Sequence, residues 1–281
     1  YHSPKKSHRY VGTEGEQMMG RDGVSFAPVL NSLFYGLNSF SPLVLAWNSH
    51  AENNGTVLFP TEHFSISYKT EINGVEYMSD RKEDNSKREN YIGAAADLAR
   101  YLKMRIFPRI EYGGSDKLKD KHAVGPDGRP YQPYIYDSFS APLFDSVDVT
   151  YDGVLEDCVG IIKEMVKAIP EDSRSSFENL IMRQRANFTP ISYSDNALKL
   201  YAKEKGLSVP ESDLRNEVVM KRQDDYKVWY QNKKYAFFSK VNEAYNSLLN
   251  RKGSLIYYNW RKGGMPYEGL YYYDPAAWTE I

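Results

Sequence analysis

A single cysteine, Cys158, stands in this 281-residue chain. One thiol excludes an intrachain disulfide and any cysteine-based zinc site, so the fold must be held by burial of apolar surface. Cys158 lies inside Val154–Val166, whose apolar spacing is helical, and is expected to be a small buried hydrophobe. Long apolar runs are missing too. None reaches the roughly 18 residues that a bilayer span requires. The chain begins Tyr1-His2-Ser3-Pro4-Lys5-Lys6, without an initiator methionine or a signal-peptide pattern, and reads as a processed product or a part of something longer. Charge of one sign is absent as well. The chain has 36 Lys and Arg against 37 Asp and Glu, so it has no basic field to hold a phosphate backbone, and nucleic acid is excluded as a partner.

Several motifs are missing. There is no GxGxxG, P-loop or GxSxG, which argues against nucleotide and serine-hydrolase chemistry. His50 and His122 fall in loops without HxH or HExxH spacing, so no metal and no cofactor is expected. No repeat, low-complexity run or linker divides the chain. What is abundant is tyrosine: 24 of them, with 12 Phe and 4 Trp, supply flat apolar faces with polar tips that suit sugar rings, although a composition bias gives the same count.

Apolar periodicity sets the expected elements. Helices are predicted for Pro28–Phe40, from an Asn90 cap to Lys103, for Asp152–Ala168, from a Ser194 or Asp195 cap to Gly206, and for Asp224–Leu249. Short apolar strands are predicted at Pro42–Trp47, Arg105–Glu111, Asn179–Arg183 and Ser254–Trp260. Asn73-Gly74 suits a hairpin turn, and Asn53-Asn54-Gly55 another turn. Strands alternating with helices predict parallel βα units. The expected fold is therefore α/β, a (β/α)8 TIM-like barrel, incomplete or decorated by insertions. Residues 1–25 form an arm, and residues 26–281 the barrel domain with insertions at about 61–90 and 113–150. Further strands in the arm, in 138–150 or in 268–273 would be needed to close it.

Parallel barrels bind substrates at the C-terminal ends of their strands. The residues there are Trp47 and His50 after the first strand, Glu111 and Tyr112 after the second, Arg183, Arg185 and Asn187 after the third, and Tyr258, Asn259 and Trp260 after the fourth. Aromatic faces, amides and guanidinium groups are what a carbohydrate cleft requires. Glu111 is the sharpest candidate: a carboxylate at a strand end followed by Gly113-Gly114, where the backbone turns tightly and a ligand can approach. It reads as an acid, base or nucleophile, or as an ion-pair partner of Arg109 or Arg183 that orders the barrel mouth. Glycoside hydrolysis needs two carboxylates. The candidates for the second, Glu52, Glu62, Asp127, Asp137 and Asp274, are scattered over loops, and no spacing distinguishes one. Arg183 and Arg185 share one side of a strand and suit a uronic or sulfated sugar, or a structural ion pair. Asn54-Gly55-Thr56 and Asn187-Phe188-Thr189 match the glycosylation sequon.

The stretch Leu98–Ser115, reading LARYLKMRIFPRIEYGGS, resembles bacterial glycoside-hydrolase-like TIM-barrel proteins near the clans of family 10-like and family 42-like glycosidases. Gly55–Thr61, Arg183-Gln184-Arg185 with Pro190–Ser194, and Leu198–Gly206 resemble the same proteins, and the likeness of layout covers roughly residues 26–262. It implies a bacterial protein of the glycoside-hydrolase-like kind, extracellular or cell-surface in preference to cytoplasmic, that acts on or binds a carbohydrate ligand. The sequence sets no oligomeric state. Active members of those clans carry an acid after the fourth barrel strand, commonly as Asn-Glu, where this chain reads Arg185-Ala186-Asn187. Two readings follow. One is a carbohydrate-active enzyme with Glu111 as one carboxylate. The other is a non-catalytic barrel that binds glycans or proteins in a larger surface assembly.

Overall fold

A computed structural model describes residues 12–15, 19–20, 23–24, 27–49, 54–63, 65–72, 75–84, 89–118, 121–129, 147–184 and 191–259, with the backbone alone at 12–15, 19–20, 23–24, 28, 32, 46–49, 54–56, 65–72, 75–84, 116, 183–184 and 257–259. In chain order come β1 (Gly12–Gly15), β2 (Met19–Gly20), β3 (Gly23–Val24), α1 (Ala27–Phe34), β4 (Ser39–Ser49), β5 (Asn54–Val57), β6 (Ser65–Ile72) and β7 (Val75–Asp84). Then follow α2 (Tyr91–Leu102), β8 (Arg105–Ile106), β9 (Arg109–Glu111), α3 (Val154–Ala168), β10 (Ile181–Gln184), α4 (Asp195–Lys205), α5 (Glu211–Lys221), α6 (Gln223–Leu248) and β11 (Ile256–Asn259).

The main sheet runs β1-β4-β9-β10-β11, and each neighbouring pair is parallel. Antiparallel β5 joins β4, and β8 runs parallel along the start of β4. The described sheet is open, with β1 at one end of this path and β11 at the other. β1 extends it from the segment expected to be an arm. The strands flanking Asn73-Gly74 pair antiparallel, with Ile72 opposite Val75; residues 73 and 74 themselves lie outside the described residues.

Local chemistry explains the helix limits. Asn90 caps α2 by accepting the Gly93 N–H at 2.9 Å, and Ser194 caps α4 by accepting that of Ala197 at 3.1 Å. Gly206 ends α4 in the left-handed conformation, φ 64°. Helix α1 stops sooner than its apolar stripe predicts. Gly36 takes φ 75°, and Phe40 is instead a buried strand residue in register with Thr13 and Ile106. Likewise Asn54 and Gly55 begin β5, not a turn. The strand expected at Arg105–Glu111 is split at Phe107-Pro108, because proline has no N–H for a ladder. Helix α5 was not foreseen, since its buried stripe is just Leu214 and Val218.

The larger core packs the sheet residues Ile110 and Met182 with Ala95 and Ala99 of α2, Ile161 and Met165 of α3, and Phe238 and Val241 of α6. Cys158 belongs to this core, as its helical spacing suggests, and burial pushes its thiol well above the usual range. A second core joins α4, α5 and the start of α6 through Tyr193, Tyr201, Tyr226, Trp229 and Tyr230. Tyr193 stacks on Tyr226 with centroids 4.8 Å apart, and Tyr201 meets Tyr226 edge-on at 5.0 Å. Among the described residues, Tyr112, Tyr193, Tyr201, Tyr226, Tyr230 and Tyr245 are thus spent inside the fold.

Candidate functional site

Register, more than any single contact, defines the C-terminal edge of the sheet. Leu45, Ile110, Met182 and Tyr257 form one row across β4, β9, β10 and β11. One residue further on, Ala46 pairs with Glu111 and Arg183 with Tyr258, so these four positions form the next row. Faces alternate along a strand. Ile110 and Met182 pack into the helix-side core, so the row of Glu111 belongs to the other face of the sheet. Arg109, two residues before Glu111, shares that face. Arg109 and Glu111 are both buried, at 0% and 1% exposure, and both are partnered. The sheet therefore brings three of the expected site positions, Glu111, Arg183 and Tyr258, onto one row. Asn259 follows in register with Gln184, and the backbone of Trp47 follows Ala46 on β4. His50, Arg185, Asn187 and Trp260 lie outside the described residues.

Tyr112 falls on the opposite side. It is 1% exposed, its ring stacks on Phe237 of α6 with centroids 6.1 Å apart, and its hydroxyl donates to Asp157 Oδ2 at 2.8 Å and lies 3.2 Å from the Val154 carbonyl. Burial first, and then the neighbouring Cys158 and Asp157, hold its phenol well above the usual range. Ser115 also donates to Asp157. The strand end of β9 is thereby bolted to the first turn of α3.

A second buried carboxylate, Asp148, ties the loops beyond β9 and β10 together. It accepts the backbone N–H of Thr150 at 2.8 Å, the hydroxyls of Thr150 at 2.7 Å and Ser194 at 2.5 Å, and that of Tyr230 at 3.0 Å. Backbone bonds reinforce the seam: Val147 N–H to the Gly113 carbonyl at 3.0 Å, and Tyr193 N–H to the Val124 carbonyl at 2.7 Å. Sequence reasoning missed Asp148 and Asp157. Neither sits at a strand end, and the donors that satisfy Asp148 are 2 to 82 residues away along the chain.

Of the loop acids considered as a second carboxylate, Glu62 lies with Thr61, Glu164 and Lys167 on a pocket of about 290 Å³ beside the last turns of α3. That is the far end of α3 from Tyr112. There Glu164 accepts from Thr61 Oγ1 at 2.5 Å and sits 2.8 Å from His63 Nδ1. Asp127 is exposed and accepts the Arg129 N–H at 3.1 Å, as a turn residue does. Glu52, Asp137 and Asp274 lie outside the described residues. Among the described residues no group of three metal-binding side chains occurs, and no helix is long and apolar enough to cross a membrane.

No protein-family model and no curated protein matches the sequence. The fold does find relatives among solved structures. An α-L-fucosidase isoenzyme 2 from Paenibacillus thiaminolyticus aligns with 89% of this chain at a TM-score of 0.52 and 13% identity. The PgaB (BpsB) glycoside hydrolase domain from Bordetella bronchiseptica aligns with 89% of it at 0.50 and 11% identity. The chain spans 32% of the first and 64% of the second. These likenesses are likenesses of fold: a mixed α/β fold built on a parallel sheet, shared with two glycoside-hydrolase structures.

Proposed function

We propose that the chain is a carbohydrate-active protein whose ligand lies on the C-terminal edge of the parallel sheet, over the row Ala46–Glu111–Arg183–Tyr258. The observation that carries this reading is the register itself, which sets a buried carboxylate, an arginine and a tyrosine position side by side where folds of this type bind. Glu111 acts as acid, base or nucleophile. Arg183, Arg185, Asn187 and Asn259 bond hydroxyls or charged groups, and Trp47, His50, Tyr258 and Trp260 line the cleft. Tyr112, whose hydroxyl is held by Asp157, serves by fixing the end of β9 beneath Glu111. A (β/α)8 barrel is the closed form that this parallel order suits, and a family 10-like or family 42-like clan is the finer affiliation. The bacterial, secreted or cell-surface setting belongs to the same proposal.

A second reading has its own support. The described strands place no second carboxylate in the row of Glu111, and two-carboxylate hydrolysis needs one within about 5–10 Å. A glycan- or protein-binding fold without turnover fits that. One experiment separates the two. The parent protein and Glu111→Gln are assayed for reducing ends released from a polysaccharide panel, and for retention on the same polysaccharides. Turnover lost in Glu111→Gln supports the enzyme. Retention without turnover in the parent supports the binding protein. Neither retention nor turnover in the parent contradicts both.

A further inference from the structure

Of the described side chains of α1, only Val29 enters the larger core. Leu30 and Leu33 stay 50% and 40% exposed, Phe34 is 86% exposed, and Tyr35, just past the helix, is 77% exposed. Leu30, Leu33 and Phe34 stand at i, i+3 and i+4, so they form one stripe along the helix. The ring of Tyr35 meets that of Phe34 edge-on, with centroids 5.7 Å apart, and continues the stripe. An eight-residue helix is marginal alone, and what holds such a helix is the packing of an apolar stripe. These four side chains expose on the order of 500 Å², at about 150–250 Å² for a whole aromatic side chain. That is at the upper end of the apolar patches that single chains show to water, where patches are often functional.

We propose that this face is where two copies of the chain meet, α1 against α1 across a two-fold axis. Charge favours this occupant. From Gly23 to Ser49 the sequence has no Asp, Glu, Lys or Arg. In a two-fold contact each residue of the patch faces the same patch on the other copy, so a charge there would meet its like. An uncharged patch avoids that repulsion, and it gives a charged partner or an anionic lipid surface nothing to pair with. The exposed Asn31 and Asn38 supply a polar rim that is also uncharged. Area sets the strength. Two such faces together bury on the order of 1,000 Å², which meets the lower bound for a specific contact and falls short of the usual ~1,600 Å². The dimer is therefore reversible, with a dissociation constant on the order of 10 µM.

The test is sedimentation equilibrium of the whole chain from about 1 to 200 µM, a range that brackets the expected constant. The parent is compared with Phe34→Glu, with Leu30→Glu and, as a control on an exposed apolar side chain of α5, with Met220→Glu. The parent is expected to pass from one chain to two over that range. Phe34→Glu and Leu30→Glu should each weaken the dimer about hundred-fold or more, because a two-fold contact counts each substitution twice, and Met220→Glu should leave it unchanged. Phe34 is the most exposed of the four, so the thermal melt of dilute Phe34→Glu should match that of the parent. A parent that stays a single chain throughout overturns the proposal, and its pelleting with phosphatidylcholine vesicles would then name a lipid surface as the occupant. A mass that climbs past two chains overturns the two-fold contact. A dimer that both glutamate variants of α1 leave intact, or that Met220→Glu dissociates equally, overturns the choice of face. A lower melting temperature for dilute Phe34→Glu shows that the chain itself covers α1, and overturns the proposal as well.

Discussion

Val147 fills the space that a side chain on Gly114 would need. A Cβ built on Gly114 comes 2.2 Å from Val147 Cγ1, and the glycine holds φ at 103°. Gly114, the second glycine after Glu111, is thus explained by one piece of chain packing closely on another, with Val147 of the returning segment lying against it. Gly114→Ala combines a steric overlap with a left-handed backbone and is expected to cost about 2–4 kcal/mol. Adding Val147→Ala should return part of that loss, because it relieves the overlap and leaves the backbone strain. Urea melts of the single and double variants measure both, and a double variant no more stable than Gly114→Ala would show that the overlap is not the cause.

Asp148 is expected to be the most sensitive polar position in the loops. Truncation to Ala leaves the buried hydroxyls of Tyr230 and Ser194 without their acceptor, at about 3 kcal/mol or more. Because the carboxylate joins the loops beyond β9 and β10, amide exchange should quicken around Lys121–Val124 and Ile191–Ser194 before it does in α3. Uniform exchange across all these segments would count against a local clamp.

Lys234 gives a prediction about pH. It is 3% exposed on α6, and burial pushes its ammonium down from the ordinary 10.5 to about 8. Between those values the unfolded chain holds the proton and the folded chain does not, so the unfolded state binds more protons and stability must rise with pH from about 8 to about 10.5. Below about 8 the folded protein keeps a buried cation, a penalty of about 3 kcal/mol at 1.36 kcal/mol per pH unit. Lys234→Met should therefore be more stable than the parent at pH 7 and lose that advantage towards pH 10. Thermal melts across this range decide it, and parallel curves for the two proteins would refute the assignment.

Tyr112→Phe separates scaffold from site. Loss of the hydroxyl leaves Asp157 short of a donor and should cost about 1–2 kcal/mol. Saccharide affinity should change little, because the ring lies on the helix side of the sheet. A large loss of affinity at unchanged stability would place Tyr112 in the cleft instead.

Where periodicity and caps act over short distances, the sequence was informative. Asn90, Ser194 and Gly206 mark helix ends by bonds spanning three or four residues, and Leu43, Val44, Leu45, Leu180 and Met182 mark strand segments because apolar side chains are buried there. Phe40 misled, since its spacing suits a helix while its partners Thr13 and Ile106 lie 27 and 66 residues away. The site was legible to the same extent. That Glu111 stands at a strand end follows from Arg105–Glu111. That it shares a row with Arg183 and Tyr258 is a matter of register, which depends on how distant strands settle against one core. The polar anchors Asp148 and Asp157 gave no signal at all, because a buried carboxylate satisfied by hydroxyls looks in the sequence like any loop acid.

The central claim is that a saccharide lies over the row of Glu111. The most direct measurement is amide exchange on the whole chain with and without the polysaccharide that it retains best. The account predicts protection in the peptides that cover Ala46, Arg109–Ser115, Ile181–Gln184 and Ile256–Asn259, with little change along Thr61–His63 and the last turns of α3. Protection confined to the latter, beside the pocket of Glu62 and Glu164, would contradict it.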